Sequence, residues 1–184
     1  MAKYSIAKYS TSKYHVDVTM REMLDETMAS WRRERPDLEL DAMGSVLRLG
    51  QLTNAAARTV DAVFGPHGIT LGEFDVLAAL RRGGAGTVLT PTILARVAMV
   101  SPAGMTNRLN RLEAAGLIVR SPDPADRRGS LVELTAEGRR LADRAVEDLV
   151  TAENALFAIL SPTERARFDR VLDKLIAHLE PPQA

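Results

Sequence analysis

Residues 89–134 read LTPTILARVAMVSPAGMTNRLNRLEAAGLIVRSPDPADRRGSLVEL, and the order of signals in this stretch decides the fold. Two short helices have matching starts, Thr90-Pro91 and Ser101-Pro102. A hydroxyl at the N-cap accepts a bond from a free helix N–H, and proline suits the first turn because its missing N–H would be unpaired there anyway. The first helix should end near Ala98, leaving two or three residues before Ser101. Helices joined so tightly form a helix-turn-helix, a unit that reads DNA. Gly116 is a C′ glycine for the second helix. After it, residues 117–120 and 130–134 are expected as strands, joined by a polar loop from Ser121 to Gly129. That makes a β-hairpin wing, expected to be the only strand-rich part of the chain.

Each helical residue turns by about 100°. Met105, Leu109 and Leu112 therefore define the buried face of the second helix, with Ala103, Asn107 and Asn110 opposite and Thr106 and Arg111 on the flanks. With the N-cap Ser101, these make a small, polar outward face able to hydrogen-bond base edges in a major groove. On an isolated helix the same face reads as ordinary solvated surface; the preceding helix, the tight turn and the hairpin favour DNA. Arg108 lies on the edge of the buried face and is expected to point towards the body of the protein, or to contact phosphate. At the wing tip, Asp126, Arg127 and Arg128 are the candidates. An arginine on a loop tip can enter a narrow minor groove, and an aspartate two residues earlier can hold its fork.

Working outward, Thr19-x-x-Glu22, Thr70-x-x-Glu73 and Ser161-x-x-Glu164 are capping boxes. The first opens a helix from Met20 to Arg35 that carries Leu24, Met28 and Trp31 on one face and stops before Pro36. A second helix runs from about Asp41 to Phe64; between Gln51 and Val63 its only charges are Arg58 and Asp61, as expected of a buried helix. The third should bury Leu71, Phe74, Leu77 and Ala78 before Gly83 to Gly86 break the chain. Thr135 caps a long helix to about Leu160, and the last runs to about Leu179. The fold class expected is mainly α with a small β-hairpin wing. Its parts are a tail at 1–17, N-terminal helices at 18–66, a DNA-binding lobe at 70–135 and C-terminal helices at 136–180. Residues 2–16, AKYSI-AKYST-SKYHV, hold every tyrosine in a five-residue near-repeat without helical period. They read as a disordered tail, or more sharply as a basic-aromatic arm touching DNA phosphates.

Composition excludes several classes. Lys plus Arg and Asp plus Glu each number 24, so net charge says nothing for nucleic acid. With no cysteine there is no disulfide, thiolate metal site or thiol peroxide sensor. No apolar run approaches the roughly 20 residues of a membrane span, so a soluble cytoplasmic protein is expected. His15, His67 and His178 are scattered, and no metalloprotease, nucleophile-elbow or phosphate-loop pattern appears. An enzyme is not expected, nor a bound metal or cofactor.

The block from Leu89 to Leu141 resembles the MarR (multiple antibiotic resistance regulator) family of winged-helix repressors. The resemblance is carried by Ser101, Asn107-Arg108, Arg111-Leu112, Glu113, Gly116 to Arg120, Asp126-Arg127-Arg128, Leu134-Thr135 and Gly138. It implies a homodimer built from the terminal helices, bound to double-stranded DNA at a pseudo-palindromic operator, with Asp126 and Arg128 prominent in the wing. The added first helix with its tryptophan resembles the urate-responsive branch. That resemblance implies a small anionic effector, urate or a related purine, answering to Trp31, Asp75, Arg108 and Arg120. The residue types agree: an indole stacks a planar heterocycle and an arginine fork binds an anion. Taken singly, Trp31 is more often a packing anchor and Asp75 with an arginine more often a structural ion pair. Aromatic or polycarboxylic acids are the alternative effectors, and a ligand-insensitive architectural DNA-binding protein is the alternative role.

Overall fold

A computed structural model describes residues 19–180; the expectations for the 1–17 tail fall outside them. Helices α1 (Met20–Glu34) and α2 (Asp41–Phe64) are followed by a 3-10 turn (Gly65–His67) and α3 (Leu71–Arg82). Then come β1 (Val88–Leu89), α4 (Pro91–Val97), α5 (Pro102–Ala114), β2 (Ile118–Asp123), β3 (Asp126–Leu134), α6 (Ala136–Phe157) and α7 (Pro162–Leu179). The architecture is mainly helical with a small antiparallel sheet, as expected. The chain divides into two compact units, 19–55 and 56–180.

In the first unit all parts of the Thr19 capping box form. The Glu22 N–H donates to Thr19 Oγ1 at 3.2 Å and the Thr19 N–H to the Glu22 carboxylate at 2.7 Å. Leu24 and Met28, one turn apart, bury with Leu40 as a small core. Trp31, the third apolar residue of that stripe, is 44% exposed.

The second unit holds the larger core. Phe64 and Phe74 stack with ring centroids 4.7 Å apart, and Leu77, Leu80, Leu94, Met105, Leu109 and Leu112 close around them. Such burial contributes about 1.5–3 kcal/mol per large side chain. The buried face assigned to α5 is thus observed in full. At its end Gly116 takes φ +70°, a left-handed conformation that glycine adopts without the Cβ penalty. The turn hands the chain to β2, whose register with β3 pairs Val119 with Glu133 and Arg120 with Val132. The Thr135 hydroxyl donates to Gly116 O at 2.8 Å, tying the end of the wing to its beginning.

Four expectations need correction. The wing is not the only strand segment: β1 pairs with β3 through Val88–Glu133 and Leu89–Val132. Two residues are too few for a periodic signal, and pairing with an existing strand supplies the order. Most of the expected loop 121–129 is strand, turning at Pro124-Ala125. Backbone pairing extends a hairpin through polar residues that carry no apolar alternation. Leu71 is exposed at 37%, because as the first helical residue it precedes the turns that face the core. No side chain between Gln51 and Val63 is buried in the single chain, despite the scarcity of charge.

The C-terminal helix contrasts with the rest. Its Ser161 capping box forms, Arg165 sits 4.7 Å over the Phe157 ring, and Phe157 and Phe168 meet at 6.1 Å. Yet α7 has no buried residue. Val171, Leu175, Ile176 and Leu179 are 49–80% exposed.

Candidate nucleic-acid interface

The Ser101 hydroxyl accepts the Gly104 N–H at 3.2 Å and so fixes the start of α5. Because Met105, Leu109 and Leu112 anchor one side, Ala103, Thr106, Asn107, Asn110 and Arg111 all lie exposed. The Thr106 hydroxyl donates to Pro102 O at 3.0 Å, which leaves its oxygen as an acceptor. In the turn before α5, Met99 takes φ +50° and is 91% exposed. A large apolar side chain beside the outward face was missed from the sequence, where Met99 reads as part of an apolar run. At the other edge the hairpin turn is closed by the Ala125 N–H bonding the Asp123 carboxylate at 2.9 Å. Asp126 is exposed at the start of β3, and Arg127 and Arg128 follow it on the same strand.

The opposite flank of α5 is engaged with the first turn of α3. Arg108 is half-buried, and its Nη1 donates to Gly72 O at 3.1 Å, so it points into the body as its place on the helix suggests. A Cβ on residue 72 would lie 2.5 Å from Arg108 Cζ, so any side chain there would push the guanidinium from this place. One turn on, Arg111 Nε donates to Glu73 Oε1 at 2.6 Å. Burial pushes the Glu73 carboxyl up, but bonds from Thr70 N–H and Oγ1 and from Arg111 outweigh it and hold the group below its ordinary range. Arg111, expected to face DNA, therefore has one edge committed within the protein.

Of the residues implied to bind an effector, Asp75 and Arg108 are brought together. Burial raises the Asp75 carboxyl against the pull of Arg108 and Arg82. Arg82 was missed, although its i+7 spacing from Asp75 puts both on one face of α3. Arg120 is tied elsewhere, its Nη2 lying 2.5 Å from Asn110 Oδ1 and 3.1 Å from Glu113 Oε2. Its Nε is buried without a partner among the described residues. Trp31 belongs to the first unit. Between α3 and α6 a cleft of about 480 Å³ is floored by Phe74, Ala78, Ala142 and Val146 and rimmed by Arg81 and Arg82. Arg81 is paired there with Asp143 at 2.6 Å. The cleft is lined by none of the four residues implied from sequence.

Among the described residues no cluster of three or more His, Asp or Glu side chains is placed to hold a metal ion. Among the described residues no helix is long and apolar enough to cross a membrane.

The sequence pattern that defines the MarR family matches residues 67–129. The chain is 34% identical to the HTH-type transcriptional regulator PecS of Dickeya dadantii, over 85% of this chain and 94% of that protein. Among solved structures it is similar to an Escherichia coli MarR variant complexed with operator DNA (TM-score 0.61, 25% identity, 79% of this chain and 96% of that one). It is also similar to Bordetella bronchiseptica BpsR, described with regulation of its DNA binding by 6-hydroxynicotinic acid (TM-score 0.57, 30% identity, 70% and 98% covered).

Proposed function

We propose, because the chain belongs to the MarR family of DNA-binding transcriptional regulators, that it works as a homodimeric repressor released from a pseudo-palindromic operator by a small anionic ligand. The observation that carries the DNA reading is the division of α5 into two faces. Met105, Leu109 and Leu112 are each 1% exposed, while Ala103, Thr106, Asn107 and Asn110 face outward. A helix fixed so firmly on one side presents the other as a rigid reading surface. Asp126, Arg127 and Arg128 of the wing reach the flanking minor groove. Two protomers joined through their terminal helices set the two copies of α5 about 34–36 Å apart, one DNA turn. The uncovered apolar residues of α7 supply part of that joint. Such a protein acts in the cytoplasm on DNA and carries out no catalysis.

The ligand is an anion with a flat ring, urate or a related purine. Arg82 and Arg108 beside Asp75 supply the charge logic; Trp31 enters on the sequence resemblance, its indole being of a kind that stacks a flat ring. An anion near Asp75 would weaken its hold on Arg108 and free the flank of α5 from Gly72. An anion drawn to Arg120 competes there with Asn110 and Glu113. An aromatic carboxylate is the second reading, favoured by the apolar floor of the α3–α6 cleft and by the ligand named for BpsR. A ligand shifts the equilibrium only by its difference in affinity for the two states.

A mobility-shift titration tests both parts. Urate, xanthine and 6-hydroxynicotinate are added in turn to the protein on a duplex it has selected from random sequence. Release by one of them at micromolar to millimolar concentration is expected. If none changes DNA affinity, the switch is wrong; if no duplex is selected, the DNA reading fails and broad salt-dependent binding takes its place.

A further inference from the structure

We infer that Glu73, acting through Arg111, is a positioning residue for DNA recognition. The inference rests on the reading that α5 enters the DNA, and adds a residue that never touches it. Glu73 is the N3 residue of the α3 capping box and would need no further role. Its Oε2 accepts from Thr70 N–H at 2.8 Å and from Thr70 Oγ1 at 2.9 Å. The other oxygen, Oε1, reaches across to α5 and takes the Arg111 Nε at 2.6 Å.

The exposures are unequal: the Glu73 side chain is 8% exposed and that of Arg111 63%. A surface arginine held by a buried acid is unlike a solvated surface pair, in which both side chains wander. The carboxylate cannot follow Arg111 outward, because Thr70 holds it. Arg111 is gripped by its Nε edge, and its Nη groups have no other partner among the described residues. A guanidinium fixed at one edge presents the rest of its planar fork in one orientation, suited to bidentate contact with a DNA phosphate. The entropy of ordering that long side chain is then met in the free protein rather than on binding. Arg108, stacked over Gly72 one turn earlier, fixes the same flank and leaves Arg111 as its outer member.

The test uses full-length protein and a duplex selected from random DNA by the wild type. Glu73→Gln keeps the capping box, since glutamine caps as glutamate does, and removes the charge that grips Arg111. Arg111→Lys keeps the positive charge on an exposed residue but loses the planar fork. Each change is expected to weaken binding to that duplex about tenfold, the size of one charge-assisted hydrogen bond. The double variant should bind no more weakly than either single one, because both remove the same contact. The salt dependence of Arg111→Lys should match the wild type. The inference is overturned if Glu73→Gln leaves affinity within about twofold of wild type. It is equally overturned if Glu73→Gln weakens the Arg111→Lys variant as much as it weakens the wild type. Thermal unfolding of each variant confirms that binding is measured on folded protein. A wild type that selects no duplex overturns the DNA reading and this inference together.

Discussion

The lobe around α5 and the helix α7 solve the same problem in opposite ways. Both begin at a hydroxyl–proline start, Ser101-Pro102 and Ser161-Pro162, and both carry apolar residues at helical spacing. In α5 every member of the apolar stripe is buried within the chain; in α7 none is. Local chemistry starts a helix, then, but does not say who covers it. The lobe is complete in one copy, whereas α7 leaves Val171, Leu175, Ile176 and Leu179 to a surface outside it. On the function proposed above, the DNA-reading lobe is self-contained and its spacing is set by a second copy.

The change expected to break this comparison most severely is Val171→Glu with Leu175→Glu. Charges on the uncovered stripe should leave the lobe folded and separate the protomers. Losing the second half-site should cost operator affinity on the order of a hundredfold or more, since avidity of linked sites is typically about 10²–10⁴. Sedimentation and mobility-shift measurements check both parts; a dimer that persists would place the joint elsewhere. Next in size, Arg128→Ala is expected to weaken operator binding about tenfold to a hundredfold, as one arginine–base contact is worth about 1–3 kcal/mol. The same change should leave the oligomeric state untouched.

Trp31→Ala and Asp75→Asn address the switch. Trp31→Ala should retain DNA binding and raise the ligand concentration needed for release by about tenfold, the effect of roughly 1.4 kcal/mol. Asp75→Asn loosens Arg108 without any ligand, so its ligand-free DNA affinity should fall by about tenfold. Release of Trp31→Ala at the wild-type ligand concentration, or unchanged affinity of Asp75→Asn, would remove that residue from the switch.

The smallest expected effect concerns two neighbours on α3 with opposite signs. Glu73 is held below its ordinary pKa, so its stabilisation is full above the unfolded value and lost as pH falls through the folded one. Asp75 is held above its ordinary pKa by burial, so its contribution is full at low pH and lost as pH rises through the folded value. Thermal unfolding between pH 7 and pH 3 should therefore lose less stability in Glu73→Gln than in wild type. Asp75→Asn should equal or exceed the wild type near pH 7. The reverse order would mean the two carboxyls are wrongly assigned.

Much of this was legible in the residues. Capping at Thr19, Thr70 and Ser161 depends on four adjacent residues, and all three boxes form. The two faces of α5 follow from a single period. What the sequence could not show depends on distant partners. The strand β1 exists because β3 lies beside it, and the Glu73–Arg111 bond joins residues 38 apart with no shared period. The low charge of 51–63 read as a buried helix, but scarcity of charge does not say whether the cover comes from the same chain. Arg120 is the clearest limit. Its type suits an anion, yet it is already shared by Asn110 and Glu113, and only the folded arrangement shows that competition.

The most direct test of the central claim is to select duplexes from random DNA with the purified protein and footprint the bound sequence. The account requires an inverted repeat protected by one dimer, with half-sites a helical turn apart, and protection lost when Asn107 and Arg128 are changed to alanine. A single unrepeated site held by one copy, or protection unaltered by those changes, would contradict it.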